Sequence, residues 1–88
     1  MKIKVEKLDC KDEFHSWNVW ECEVSDFDWK YEDQEFCYIV SGKAEITSET
    51  QKVIIEKDDY VVFPKGLSCR WKVLSPIKKY YSFEELVS

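Results

Sequence analysis

The strongest constraint on this chain is a period of two. "FDWKY" sets Phe27, Trp29 and Tyr31 against Asp28 and Lys30, the alternation of a strand with one buried and one wet face. "EFCYIV" goes further, with Phe36, Tyr38 and Val40 on one side and Cys37 and Ile39 on the other; both of its faces need cover. Gly42 ends that run, and "KAEIT" resumes the alternation with Ala44 and Ile46 against Glu45 and Thr47. "KVIIE", "YVVF", "CRWKVL" and "KKYYSF" follow, separated by "TSETQ", by "EKDD", by Pro64 with Gly66, and by an interruption at Pro76. Short apolar runs roughly ten residues apart, with turn residues between them, predict an all-β sandwich or small barrel. Only "CKDEFHSW" (10–17) and "SFEELVS" (82–88) leave room for a helical turn.

A chain of 88 residues is expected to form one domain, spanning 1–88. So small a domain must pack its core efficiently, and a 16% aromatic content serves that need. The net charge of -5, with basic residues scattered singly, argues against nucleic acid as a partner. No apolar run is long enough for a membrane span or signal peptide, which predicts a cytoplasmic chain with no membrane partner. Cys10, Cys22, Cys37 and Cys69 leave disulfides formally open, but without a secretory signal free thiols are expected. His15, the single histidine, lies in a polar stretch and is expected in solvent; two glycines are too few for a phosphate-cradling loop.

Two spaced constellations stand out. In the first, from 23 to 42, Trp29 and Tyr31 are two apart, Glu35 follows after three residues and Gly42 after six more. In the second, from 58 to 73, Asp58 precedes Pro64-Lys65-Gly66, with Cys69 and Val73 beyond. The spacing resembles the two motifs of the cupins. There the first motif carries Gly, His-x-His, Glu and Gly, and the second Gly, Pro-x-Gly, His and Asn. Glu23, Trp29 and Tyr31 stand at the places of the first glycine and the two histidines, while Glu35 and Gly42 are kept. Asp58, Cys69 and Val73 stand at the places of the second motif's glycine, histidine and asparagine. The wording from about Trp17 to Tyr81 is similar to the small cupins grouped with ureidoglycine aminohydrolase and the ethanolamine-utilisation cupin. The resemblance implies a jelly-roll barrel of two antiparallel sheets.

One of the family's four metal ligands remains, Glu35. An indole nitrogen only donates, so Trp29 cannot ligate. A Tyr31–Glu35–Cys69 trio is conceivable for a divalent ion such as Zn, Mn or Ni, but it lacks any imidazole, and no metal cofactor is expected. Glu35 reads as a structural carboxylate bonded to Tyr31 and a lysine, or as a general base or ligand anchor. Cys69 reads as a small buried hydrophobe unless Lys79 lies close enough to activate it. Trp71 faces the same way as Cys69 and, with Trp29, offers either core filling or a wall for a flat or cationic ligand.

The candidate ligand-binding set is therefore Trp29, Tyr31, Glu35, Cys69 and Trp71, with Glu35, Tyr31 and Lys79 as catalytic candidates. A pocket for a small organic metabolite is the first functional expectation. An enzyme acting on a small nitrogen-containing metabolite, as the resemblance to ureidoglycine aminohydrolase implies, is the second, and a structural dimer with a vestigial pocket is the third. A homodimer is expected because Phe36, Tyr38 and Val40 need cover, unless the segment carrying Ile3, Val5, Trp17 and Trp20 provides it.

Overall fold

The computed structural model describes residues 2–8 and 16–83. Most of both stretches expected to hold helical turns, together with Cys10 and His15, lies outside the described residues. Seven strands follow one another: β1 (Lys4–Lys7), β2 (Asn18–Cys22), β3 (Ser25–Lys30), β4 (Glu35–Thr47), β5 (Lys52–Glu56), β6 (Asp59–Phe63) and β7 (Ser68–Ser82). All pairings are antiparallel. β4 and β7, of 13 and 15 residues, pair along most of their length and hold the rest together. The first half of β4 and the second half of β7 lie in a sheet ordered β1-β6-β4-β7-β2. Their other halves lie between β5 and β3. This is the all-β architecture that the periodicity predicts and the jelly-roll barrel that the resemblance implies. Among the described residues no helix is long and apolar enough to cross a membrane.

Two expected breaks are not breaks. β4 runs through Gly42 and β7 runs through Pro76. The β4–β7 register slips between Ile39 and Ala44, and the inward-facing set of β4 changes from Glu35, Cys37 and Ile39 to Ala44 and Ile46. Gly42 sits in this slip with φ +89°, and a Cβ there would lie 2.2 Å from the carbonyl oxygen of Pro76 and 2.5 Å from Ile77 Cα. Only glycine fits so close an approach. Pro76 is tolerated because it faces the slip on one side, while on the other β3 pairs with β7 up to Val73 and β2 pairs from Ile77 onward. Its missing N–H therefore breaks no ladder bond.

The core lies between the two halves. Ile39, Val61, Phe63 and Ile77 meet Ala44, Ile46, Ile55, Trp71 and Val73, with Ile3 closing the side. Gln51 pins Ile3 by imitating a strand neighbour: its Oε1 accepts from Ile3 N at 2.8 Å and its Nε2 donates to Ile3 O at 3.0 Å. Asp58, at a glycine place of the second motif, takes φ 73°, a conformation Asp tolerates better than most residues. Its backbone N donates to Ile39 O and its Oδ1 accepts from the Tyr38 hydroxyl at 2.7 Å.

The outer face of "EFCYIV" is covered within the chain. Phe36 is 6% and Tyr38 0% exposed, and Tyr38 lies between Tyr60 and Tyr80 in register. Ile3 and Trp20, named as alternative cover, instead point into the core. Phe36 and Tyr38 are thus buried within the single chain, and Val40 is half-buried.

Gly42→Ala is expected to lower unfolding free energy by more than about 2 kcal/mol, since it adds both a clash and left-handed strain. Asp58→Gly is expected to change it by less than about 1 kcal/mol, because relief of strain offsets the lost Tyr38 hydrogen bond. Urea titration of both variants checks the contrast, and near-wild-type stability in Gly42→Ala would overturn this account of the bend.

Candidate functional site

A cavity of about 260 Å3 opens between the two halves of the barrel. β3 brings Phe27 and Trp29 to it, the β3–β4 loop brings Tyr31, and β4 brings Glu35. β7 contributes Trp71, Lys79 and Tyr81, and β2 adds Trp20. These positions follow from alternation: Phe27 and Trp29 pair with Trp71 and Cys69, and Trp20 pairs with Lys79. Trp29 stands at the mouth, 53% exposed.

Tyr31 is fixed from two directions. Its backbone N donates to Leu67 O at 2.9 Å and its O accepts from Gly66 N at 2.7 Å, tying the loop to the Pro64-Lys65-Gly66 turn. Its ring stacks on Phe63 with centroids 4.6 Å apart, and its hydroxyl accepts from Trp71 Nε1 at 3.2 Å. Burial, together with the negative charge that Cys37, Glu35 and Cys69 can carry, pushes the phenol far above its usual value. It stays a neutral phenol.

At the floor lies a buried ion pair. Lys79 Nζ donates to Glu35 Oε2 at 2.8 Å, with the two residues 6% and 7% exposed. The Cys37 thiol donates to the same oxygen at 2.9 Å, and Lys79 Nζ lies 3.6 Å from Cys37 Sγ. Around the ammonium stand four rings, with Trp20 and Trp71 centroids at 4.9 Å and Tyr81 and Phe63 at 5.8 and 5.9 Å. Burial works against the ammonium, but the Glu35 carboxylate 2.8 Å away, with the Cys37 sulfur beside it, outweighs burial and holds Lys79 above its usual value. Burial pushes the Cys37 thiol well up, against the pull of Lys79. A lone buried ammonium would be costly, whereas one paired with a carboxylate and faced by rings is not.

The candidate residues thus divide. Trp29, Tyr31, Glu35, Trp71 and Lys79 line one cavity, whereas Cys69 is buried in the adjoining core and does not. Cys69 has its thiol pushed up to about 11 by burial; the thiol in contact with Lys79 is Cys37. Glu35 does bond a lysine, but its second partner is Cys37, while Tyr31 bonds Trp71. The ring faces of Trp71 and Trp20, one of them expected to await a cationic ligand, are already met by the chain's own ammonium. Among the described residues no three His, Cys, Asp or Glu side chains are grouped to hold a metal ion, and Cys22, Cys37 and Cys69 are free thiols. Cys37, Trp20, Phe27, Tyr81 and Phe83 were not in the candidate set. The alternation Glu35, Cys37, Ile39 puts the thiol on the carboxylate's face, so its signal was present; Trp20 and Tyr81 depend on the β2–β7 pairing.

Comparison with known proteins places this geometry. The pattern of the EutQ-like cupin domain matches residues 10–81. The chain is similar to a DUF861-family protein from Thermotoga maritima, with 49% identity over 94% of this chain and 100% of that one, and a TM-score of 0.89. It shares its fold with the EutQ protein of Clostridium difficile, at 18% identity, 90% and 64% coverage and a TM-score of 0.67. The fold also matches a cupin-2 domain protein from Shewanella frigidimarina, at 15% identity, 88% and 94% coverage and a TM-score of 0.62. Among curated proteins there is no significant match. The length and position of the domain match make the conclusion direct: this chain belongs to the EutQ-like cupin domain family.

Proposed function

We propose that the chain is a binding cupin that holds a small organic metabolite in its aromatic cavity, without a metal and without catalysis. The Lys79–Glu35 pair carries this reading. Glu35 is the one ligand position kept from the metal-binding motif, and a fixed ammonium already sits 2.8 Å from it. A divalent ion there would meet a like charge. The other ligand positions offer it an indole, a neutral phenol and a thiol off the cavity wall. These groups do not fit Zn, Mn or Ni.

The protonation states argue the same way about catalysis. Lys79 is held as a cation and is no nucleophile, Tyr31 is held as a phenol and is no base, and the Cys37 thiol is fully buried. An enzyme acting on a nitrogen-containing metabolite would rest on Glu35 alone, whose Oε2 already accepts two hydrogen bonds. Binding needs none of these groups to change state. The size also suits it, since about 260 Å3 is just under the range of pockets for drug-sized ligands.

Saturable quenching of tryptophan emission by a planar neutral probe such as 2-naphthol is the expected sign of binding. Trp29→Ala should weaken it roughly fivefold to tenfold, the loss of one aromatic contact, at an unchanged melting temperature. No saturable quenching in the wild type would remove the reading. Mn(II) or Ni(II) at about 1 mM should leave the melting temperature where it was, because a bound ion at a hundredfold excess over Kd would add about 2.7 kcal/mol. A rise of several degrees would revive the metal-dependent enzyme.

Stability is also expected to fall in alkali. Cys69, Cys37, Tyr31 and Lys79 all have folded values raised above their ordinary ones. The unfolded chain therefore loses protons first, and the stability these groups contribute is present below pH 9.0, the ordinary thiol value, and drains away above it. Each buried thiol contributes a slope of about 1.4 kcal/mol per pH unit. Cys69→Ala should remove one such slope between pH 9.0 and about 11. Parallel pH–stability curves for wild type and variant would contradict the assignment.

A further inference from the structure

The floor of the cavity is electrically balanced and chemically two-sided, and this restricts what it can hold. Glu35 lines the cavity, yet both its hydrogen bonds, from Lys79 and from Cys37, fall on Oε2. Among the described residues none reaches Oε1, and no buried side-chain oxygen or nitrogen is left without a partner. Oε1 therefore opens to the cavity as a hydrogen-bond acceptor. Lys79 also lines the cavity, and its ammonium has three N–H donors. One goes to Glu35 and one is directed at the weak acceptor Cys37 Sγ, 3.6 Å away. The third is left for the rings or for a ligand. Acceptor and donor thus stand side by side, joined by their own 2.8 Å bond.

The charges sum to zero. Glu35 and Lys79 cancel, and the nearby Tyr31 and Cys37 carry no charge. A ligand with a net charge would leave one buried charge uncompensated or would have to break the pair. The walls above are rings. Phe27 and Trp71 are parallel within 7°, and Trp20 meets Trp71 edge to face at 5.6 Å. These rings pack against one another, so the face that favours a flat body over a bulky one is that of Trp29 at the mouth, 53% exposed.

We infer that the ligand class is an uncharged planar heterocycle with an adjacent N–H and C=O, a lactam or cyclic ureide edge. Its N–H donates to Glu35 Oε1 and its carbonyl accepts from Lys79 Nζ, while the ring extends toward Trp29 at the mouth. This inference rests on the binding reading above and specifies its chemistry. It also assigns Lys79 and Glu35 a joint role, since neither group alone recognises both halves of such an edge.

Four ring probes of similar size separate the possibilities: 2-pyridone, benzoate, benzylamine and toluene, each titrated into the full chain while tryptophan emission is followed. Saturable quenching by 2-pyridone, with each of the other three at least roughly tenfold weaker, is the expected result, tenfold being what one charge-assisted hydrogen bond supplies. Preference for benzoate or benzylamine, or toluene binding as well as 2-pyridone, would overturn the lactam-edge assignment and leave the binding reading standing. No saturable quenching by any of the four, with none by 2-naphthol, would bring down both. Glu35→Gln adds a second arm, because it leaves the floor with a net positive charge. Benzoate should then overtake 2-pyridone in a variant whose melting curve shows it folded, and an unchanged order of preference would also overturn the assignment. Should the variant not fold, the wild-type titrations still decide.

Discussion

Everything in this barrel depends on β4 and β7 staying paired while they change sheets. The two strands carry neighbours on both sides, β6 and β5 along β4 and β2 and β3 along β7. If the pair ended at the bend, a five-stranded and a four-stranded sheet would share no ladder and would be joined only through the core between them. The slip at Gly42 lets the hydrogen-bonded ladder continue across the corner, and Pro76 occupies the point where a donor has nothing to bond. A small domain thereby avoids a loop at each corner and keeps its residues for the core.

That continuity also builds the site. Glu35 and Cys37 lie on β4 before the bend, and Lys79 lies opposite Ile39 on β7 after it. Trp71 belongs to the other half of β7, beside Phe27 of β3. The ammonium is thus held by a carboxylate from its own sheet and faced by a ring from the opposite one. The rings are large enough to bridge the interior, which explains how so small a barrel can bury a charged pair. The ordering of Tyr31 against Phe63 and the Gly66–Leu67 backbone closes the same end.

Much of this was legible in the residues. The alternation through Phe27, Trp29 and Tyr31 and the two-faced "EFCYIV" predict the strands, and the cupin resemblance points to Trp29, Tyr31 and Glu35, which do line one cavity, together with Cys69, which does not. What was not legible comes from cross-strand register. Whether Lys79 reaches Glu35, Cys37 or Cys69 depends on a slip between Ile39 and Ala44 that no periodicity reports. Gly42 and Pro76 read locally as terminators, and only their mutual approach turns them into a hinge of one continuous ladder. The cover of Phe36 and Tyr38 was misplaced for a related reason. Ile3 and Trp20 are apolar enough to serve outside, but Ile3, held by Gln51 just before β1, and Trp20 on β2 are turned to the interior.

Lys79 has one more consequence. A metal centre holds its cation by equilibrium, so occupancy follows the supply of ions, rises and falls with chelators, and drifts toward the stronger members of the divalent series. An ammonium on the end of a side chain cannot leave, and its local concentration is set by the covalent tether and the β4–β7 register. The cation beside Glu35 is therefore encoded in the gene, present in every copy of the chain from the moment it folds, and indifferent to the surrounding metal pool.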